Sequence, residues 1–422
     1  MLVKNAIIST LRPSRDNWYS LSRYFPKGTQ YFYGYPSGDN SGFLNNVPPH
    51  VEELVSARPF SCAGKNVLVV AFSNPVLFGY SCGFLNDNVT KVVKLPDNID
   101  VNLSGDTRNA EVKQSLKNLV KPGSLVMAQP FLDRDVDFLY QISPKLINSL
   151  NDKKNLSRYI PKDLLVRRYA EYANGKTFSK SRRKFPLPCV VKVSSSSAGD
   201  GVYICYDIMS YHKVKKSLNS TKGAIIIEQF IKENANYGVQ FGVPEDPNQS
   251  IEIIGINQQL TTSEGEFIGG IINPNNTYDE LSFVKEIIVS EILPQVRDLG
   301  WYGVGCFDVL SDDDGFYIID CNFRMTGMTA YHMLVANRQI IKPLVSFSGE
   351  LDGSCAEAIN IIRSLDDSTA GPLVHILTIT ENDGVCRFNG AMLLQDLRDI
   401  SFVAQKVLDI GITSKALSEL VV

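Results

Sequence analysis

Long apolar runs are missing from this 422-residue sequence: the longest, such as VLVVAF at 67–72, fall far short of the roughly 18 residues that suggest a membrane-crossing helix. An excess of either charge is missing too. With 42 Lys and Arg against 45 Asp and Glu, the net charge is −3, which leaves no electrostatic footprint for nucleic acid or an anionic membrane. The expected partner is therefore a small molecule or another protein. No pair among the eight cysteines reads as CxxC, so neither a disulfide framework nor a zinc site is expected. His50, His212 and His375 likewise lack metal-ligand spacing. The opening MLVKNAIISTLRPSRDNWY has Lys4 but only a broken apolar stretch and no small-residue cleavage site, so no signal peptide is expected. A reducing cytoplasm fits best. Internal repeats and long low-complexity tracts are also absent.

What is present is alternation. Short Val-, Leu- and Phe-rich runs at 66–72, 90–95 and 124–131, bounded by Gly, Pro and Asn, read as buried strands. The segments 109–120 and 134–150 repeat apolar residues at three and four, as helices do. This predicts an α/β domain over 1–148. A charged helix follows at DKKNLSRYI, then the basic stretch Lys176, Lys180, Arg182, Arg183 and Lys184, read as a solvated face. Strands are expected at PCVVKVS, GVYICY, AIIIEQFI, 236–243, 250–261 and 266–272, helices at 208–219 and 279–299, and a strong hairpin at 304–321. The tail, 341–422, predicts one strand at 373–379 and two short helices, and carries no chemical motif.

Three segments suggest chemistry. In KVSSSSAGDGV (192–202), a strand with Lys192 runs into four serines and Gly-Asp-Gly before a return strand. Small residues allow close approach and glycines permit positive φ, so backbone N–H groups there could cradle phosphate oxygens, with Lys192 as a point charge at the base. The spacing fits neither GxxxxGK[ST] nor GxGxxG, and a plain Ser/Gly hairpin turn is the competing reading. In FDVLSDDDGFYIIDCNFR (307–324), a hairpin centred near Asp314 would set Asp308 opposite Asp320, with Asn322 on the same strand face as Asp320. Three oxygen donors in apolar surroundings suit Mg²⁺. The alternative is neutralisation of the two carboxylates by Arg324 without a metal. Asp312, Asp313 and Asp314 are solvated turn residues. The third segment, IIIEQFI (225–231), is a buried strand whose end offers backbone groups to an adenine edge, or is merely a strand end.

Taken in order, these segments resemble the ATP-grasp superfamily of carboxylate–amine ligases over about residues 145–335. The resemblance begins at NDK, with Lys153 as a phosphate-contacting lysine. It continues through the strand lysine Lys192 and a flexible lid carrying Ser196, Ser197, Gly199 and Gly201. EQFI is similar to the adenine hinge, with Glu228 facing the amino group and the backbone of Phe230 and Ile231 reading the ring. After NQQLTTSEGEFIGG (257–270), GWYGVGCFDVL…YIIDCNFR (300–324) resembles the closing metal hairpin, which implies Asp308, Asp320 and Asn322 as Mg²⁺ ligands and Arg324 on the γ-phosphate or acyl phosphate. Two positions depart from the family pattern. Asp320 stands where Glu is usual, and Asn236, with Glu233 nearby, where a ribose-binding Glu is common.

The implied architecture is α/β (α+β): a pre-ATP-grasp domain at 1–148, a small lobe with the phosphate lid at 149–224, a large lobe with the metal hairpin at 225–340, and a segment at 341–422 that caps the substrate or makes a homodimer contact. Peptide ligases of the pheganomycin type look most similar. The implied chemistry uses ATP and Mg²⁺ to activate an amino-acid or peptide carboxylate as an acyl phosphate, which an amine captures with release of ADP and phosphate. Catalysis would rest on Arg324 and Lys192, without a covalent enzyme nucleophile. An ATP-dependent carboxylase or kinase on the same site, or a nucleotide-binding regulatory module, are the other readings; a biotin-carrier motif AMKM is missing. His332 reads as a core histidine or a base for the amine. Met325, Met328 and Met333 read as packing or as a pocket lining.

Overall fold

The computed structural model describes residues 19–33, 54–71, 92–94, 105–127, 138–195, 201–262, 265–365 and 373–421. Three sheets organise them. The first is a four-stranded sheet of β1 (Gln30–Phe32), β2 (Leu68–Ala71), β3 (Val92–Lys94) and β4 (Leu125–Met127) in the order β3-β2-β1-β4. All three of its pairings are parallel, so the strands need crossover connections. Helix Gly105–Leu119 supplies one, burying Val112 and Leu116 against Phe32, Val70 and Leu125.

The second sheet is antiparallel: β5 (Arg168–Tyr172), β6 (Cys189–Val193), β7 (Val202–Cys205) and β8 (Ile225–Gln229), ordered β5-β8-β6-β7. Its inner residues Val191, Val193, Ile225 and Ile227 pack with Phe178 and Tyr211 of two short helices, Gly175–Lys180 and Ile208–Ser217. Each helix opens on a reciprocal capping box, Asn174 with Thr177 and Asp207 with Ser210, which satisfies the orphan N–H groups of its first turn. Lys176, Lys180, Arg182, Arg183 and Lys184 are exposed, as a solvated face requires. The strand at 225–229, expected to open the large lobe, is hydrogen-bonded between β5 and β6 instead.

The third sheet has eight strands: β9 (Ala235–Val243), β10 (Glu252–Thr261), β11 (Phe267–Ile272), β12 (Gly303–Ser311), β13 (Phe316–Asn322), β14 (Leu344–Asp352), β15 (Val374–Asn382) and β16 (Val385–Leu393). Their order is β13-β12-β9-β10-β11-β14-β16-β15. The tail thus contributes three strands where one was expected. One face buries Val239, Phe241, Phe307 and Val309 against the helical stretch 279–298. Sequence periodicity predicts a single helix there. The structure breaks it into α-turns at Ser282–Ile287 and Leu293–Asp298 around a π-turn at Ile288–Ile292. Pro294 explains the break: it cannot donate an N–H, and its ring clashes with the carbonyl four residues back. Among the described residues no helix is long and apolar enough to cross a membrane.

Candidate active site

The tight hairpin β12–β13 sets the first three groups. Asp308 and Asp320 are directly opposed in its register, as the sequence predicts, and Asn322 opposes Cys306 two positions along. Because alternate residues share a face, all three side chains converge. Asn322 Nδ2 donates to Asp308 Oδ2 at 3.3 Å, and Gln259 Nε2 of β10 donates to Asp308 Oδ1 at 2.7 Å. Burial, together with the neighbouring Asp320 charge, pushes the Asp308 carboxyl up to about 6 despite these hydrogen bonds.

Two lysines reach the same hairpin from outside its sheet, and Arg324 lies just past the end of β13. Lys153 Nζ lies 3.0 Å from Asp320 Oδ2, in a site where the lysine is 5% exposed. Its residue begins a 3₁₀ segment, Lys153–Arg158, where a charged α-helix was expected. Two bonds fix that segment: Lys153 N donates to Ser194 O at 2.9 Å, and Asn151 Oδ1 accepts from Phe323 N at 2.9 Å. Lys192 of β6 lies 2.9 Å from Glu228 Oε2 and donates to Ile319 O of β13 at 3.4 Å, so it links the small sheet to the hairpin. Arg324 neutralises neither aspartate directly. Its guanidinium donates to Asn322 Oδ1 at 3.0 Å and to Tyr33 Oη at 3.1 Å. Burial alone would lower its pKa, but Tyr33 and the Asp320 and Asp308 carboxylates outweigh that and raise it, so Arg324 stays charged.

Glu228 is 5% exposed, and both of its oxygens are engaged by side chains. Lys192 holds Oε2 and Arg168 holds Oε1 at 3.2 Å. Arg168 also donates to the carbonyls of Lys153 and Lys154, tying the small sheet to the lysine segment. Sequence reasoning missed this arginine because a charged residue on a short, half-exposed strand carries no motif. Beside Glu228 lies a cavity of about 140 Å³ with apolar walls including Leu156, Leu165, Val166 and Ile318. Ile231 is buried, and Phe230 is half-buried with its ring 5.7 Å from that of Tyr206. Asn236 of β9 keeps a buried Oδ1 with no hydrogen-bond partner. Gly201 has φ +73°, the left-handed conformation that glycine adopts freely. Ser196, Ser197 and Gly199 lie outside the described residues.

His332 takes the core alternative. It is 3% exposed, its Nε2 faces Asn257 Oδ1 at 3.1 Å, and burial lowers its pKa to about 3. Met325, Met328 and Met333 are buried in the core under the N-terminal residues.

The donor set can be tested for a metal. Among the described residues no group of three His, Cys, Asp or Glu side chains is placed to hold a metal ion, so a donor set of Asp308 and Asp320 depends on Asn322 for its third oxygen. A hard cation suits such donors. Burial first, and then the neighbouring Asp320 charge, raise the Asp308 pKa, and a divalent cation would offset both. The residues fit Mg²⁺.

Lys192 on the small antiparallel sheet and Lys153 on the segment beside it face an acidic hairpin of the eight-stranded sheet, and these define the class: the fold is that of the ATP-grasp ligases. Within that class, residues 169–322 match the family model described as L-aspartate–L-methionine ligase, ATP grasp. Tyramine–L-glutamate ligase of Methanocaldococcus jannaschii is 25% identical over 240 residues, 56% of this chain and 67% of that protein. Among solved structures, N5-carboxyaminoimidazole ribonucleotide synthetase in its ADP complex superposes with a TM-score of 0.56 at 12% identity, over 92% of this chain and 98% of that one. The L-amino acid ligase of Bacillus licheniformis superposes with a TM-score of 0.51 at 13% identity, again over 92% and 98%. At such identities the structural likeness speaks for the fold alone.

Proposed function

We propose that the protein is an ADP-forming ligase that joins an amino-acid or peptide carboxylate to an amine. The observation that carries this reading is the gathering of Lys153 from the 3₁₀ segment, Lys192 from the small sheet and Arg324 from just past β13 at one oxygen-rich hairpin. Phosphoryl transfer needs little covalent help from protein; it needs positive charge held in place where the transferred group gathers negative charge. Lys153 and Lys192 would hold the nucleotide's phosphates, and Arg324, kept charged by Tyr33 and the aspartates, would face the γ-phosphate and then the acyl phosphate. Asp308, Asp320 and Asn322 would hold Mg²⁺, which supplies charge neutralisation of the phosphates when bound.

The adenine would occupy the apolar cavity beside Glu228, with the backbone of Phe230 and Ile231 reading its edge. Glu228 then acts as counter-ion to Lys192 and Arg168, setting their positions, rather than spending both oxygens on the base. The orphan Asn236 Oδ1 is suited to accept from a ribose hydroxyl. Ser196, Ser197, Gly199 and Gly201 would close over the phosphates and keep water from the acyl phosphate. In this reading the small lobe runs on through the strand Ile225–Gln229, and the strands of the tail complete the sheet of the large lobe.

The matched family and the curated relative are both named for joining an amino acid to an amine-bearing partner, which favours amide formation over carboxylation. The test is incubation with ATP, Mg²⁺ and the twenty L-amino acids, singly and in pairs. ADP, phosphate and a new amide mass are expected. Release of AMP would overturn the acyl-phosphate route, and nucleotide binding without turnover on any pair would make the chain a regulatory module.

A further inference from the structure

A second feature lies on the same face of the eight-stranded sheet as Asp308. In register, Asp308 aligns with Gly238, Gly238 with Asn257, and, one alternation along β10, Gln259 with Gly270 and Gly270 with Ser346. Ser348, Asn389 and Thr378 continue that face across β14, β16 and β15. Over them opens a small cleft walled by Phe267, Tyr331 and Gly327, with Arg58 at its rim. Its inner end is buried Ser346, and its outer end is exposed Ser348. Asn389 is locked in place: Ser348 Oγ donates to its Oδ1 at 2.9 Å, and its Nδ2 donates to Thr378 Oγ1 at 2.7 Å.

Arg58 belongs to a 3₁₀ turn, Arg58–Ser61, that the N-terminal part of the chain lays onto β15 and the helix Thr329–Arg338. Its guanidinium Nη1 stands 3.9 Å from where a Cβ on Gly327 would be. It is half-buried, and no acidic side chain among the described residues pairs with it. A guanidinium that gives up part of its hydration beside fixed hydroxyl and amide groups is built for a carboxylate or another planar anion. Gly327 is three residues beyond Arg324, at most about 11 Å of chain. The cleft therefore opens beside the stretch of chain that carries Arg324.

We infer that Arg58 binds the carboxylate of an amino-acid substrate that is not the one activated, so that at least one substrate of this enzyme carries a spectator carboxylate lying in the Arg58–Thr378–Asn389 cleft. The inference rests on the ligase reading, and its test separates the two. Full-length protein with MgADP is screened by thermal shift against each of the twenty L-amino acids. Those that stabilise it are titrated by calorimetry into wild type, Arg58→Lys and Arg58→Met, alongside the analogue in which the α-carboxylate is an amide. Each variant is accepted as folded when MgADP raises its melting temperature as it does for wild type. The expected result is a Kd at least tenfold higher in Arg58→Met, a partial rescue in Arg58→Lys, and an amide analogue that binds wild type and Arg58→Met alike. Equal amino-acid affinity in wild type and Arg58→Met, or no amino acid bound by wild type, overturns the inference. Arg58-dependent binding without ADP formation in any pairing sinks the ligase reading and leaves the carboxylate site standing.

Discussion

At the scale of single residues, Asp308 and Asp320 carry opposite structural obligations. Asp320 answers buried Lys153 at 3.0 Å, so Asp320→Ala would strand a buried ammonium, whereas Asp320→Asn keeps an oxygen beside it. We expect Asp320→Asn to lower ADP formation by about 10²-fold or more with the circular dichroism spectrum unchanged; turnover near wild type would remove Asp320 from the metal set. Asp308 is a cost to the metal-free fold, because burial and Asp320 hold its pKa at about 6. Asp308→Asn should therefore raise the stability of chelator-treated protein at pH 8 by about 1 kcal/mol while ending turnover, a split measurable by urea titration and ADP assay. His332 gives the pH prediction. Its folded pKa of about 3 lies below the ordinary value near 6.5, so the unfolded chain binds its proton first as pH falls. Stability contributed by the neutral ring is whole above pH ~6.5 and is lost progressively toward pH 3. His332→Gln should flatten that part of the stability–pH curve, as measured by denaturant titration from pH 8 to 4.

At the scale of elements, the acidic hairpin holds its shape because β12 pairs along β9 and its turn is short. Gly305 makes this possible: a Cβ there would meet the Phe241 ring at 2.3 Å and the Asn322 carbonyl at 2.6 Å. Gly305→Ala should cost about 1–3 kcal/mol, seen as a fall in urea midpoint, and should weaken Mg²⁺ binding because Asn322 must shift. The hairpin was legible in the sequence because a Ser-Asp-Asp-Asp-Gly turn between two alternating runs has few other readings. Lys192, Asp308, Asp320 and Asn322 were legible for the same reason: each sits at a fixed offset from a turn or a strand end. Arg168, Gln259 and Tyr33 were not, since each reaches the site across a separate chain segment, at sequence distances of 60, 49 and 291 residues from Glu228, Asp308 and Arg324. Strands β14 and β16 also escaped. Their Ser, Gly, Asn and Glu residues dilute the apolar alternation, and only the face they share with β11 shows why polar positions are tolerated there.

At the scale of the whole molecule, the N-terminal segments do more than precede the nucleotide site. Leu21, Tyr24, Phe25 and Tyr31 lie in one continuous buried cluster with Val304, Met325, Met328 and Leu334 of the large lobe. The Tyr24 ring fills the space that only glycine leaves at position 242, where a Cβ would stand 2.1 Å from it, and its hydroxyl donates to Glu252 at 2.8 Å. Arg23 meets the same glutamate at 2.8 Å, and Tyr33 holds Arg324. The N-terminal part therefore supplies core to the large lobe, one hydrogen-bond partner to Arg324, and, through Arg58, the rim of the second cleft. Removing it would expose the apolar face of α-helix Thr329–Arg338 and the sheet edge around Val304, a contiguous patch of the kind that drives association. A fragment beginning at residue 149 should bind a hydrophobic dye and aggregate, and the full chain should lose the near-ultraviolet signal of Trp301 in the same unfolding transition as that of its N-terminal tyrosines. A soluble fragment that binds MgADP with wild-type affinity would show instead that the two parts fold as independent units.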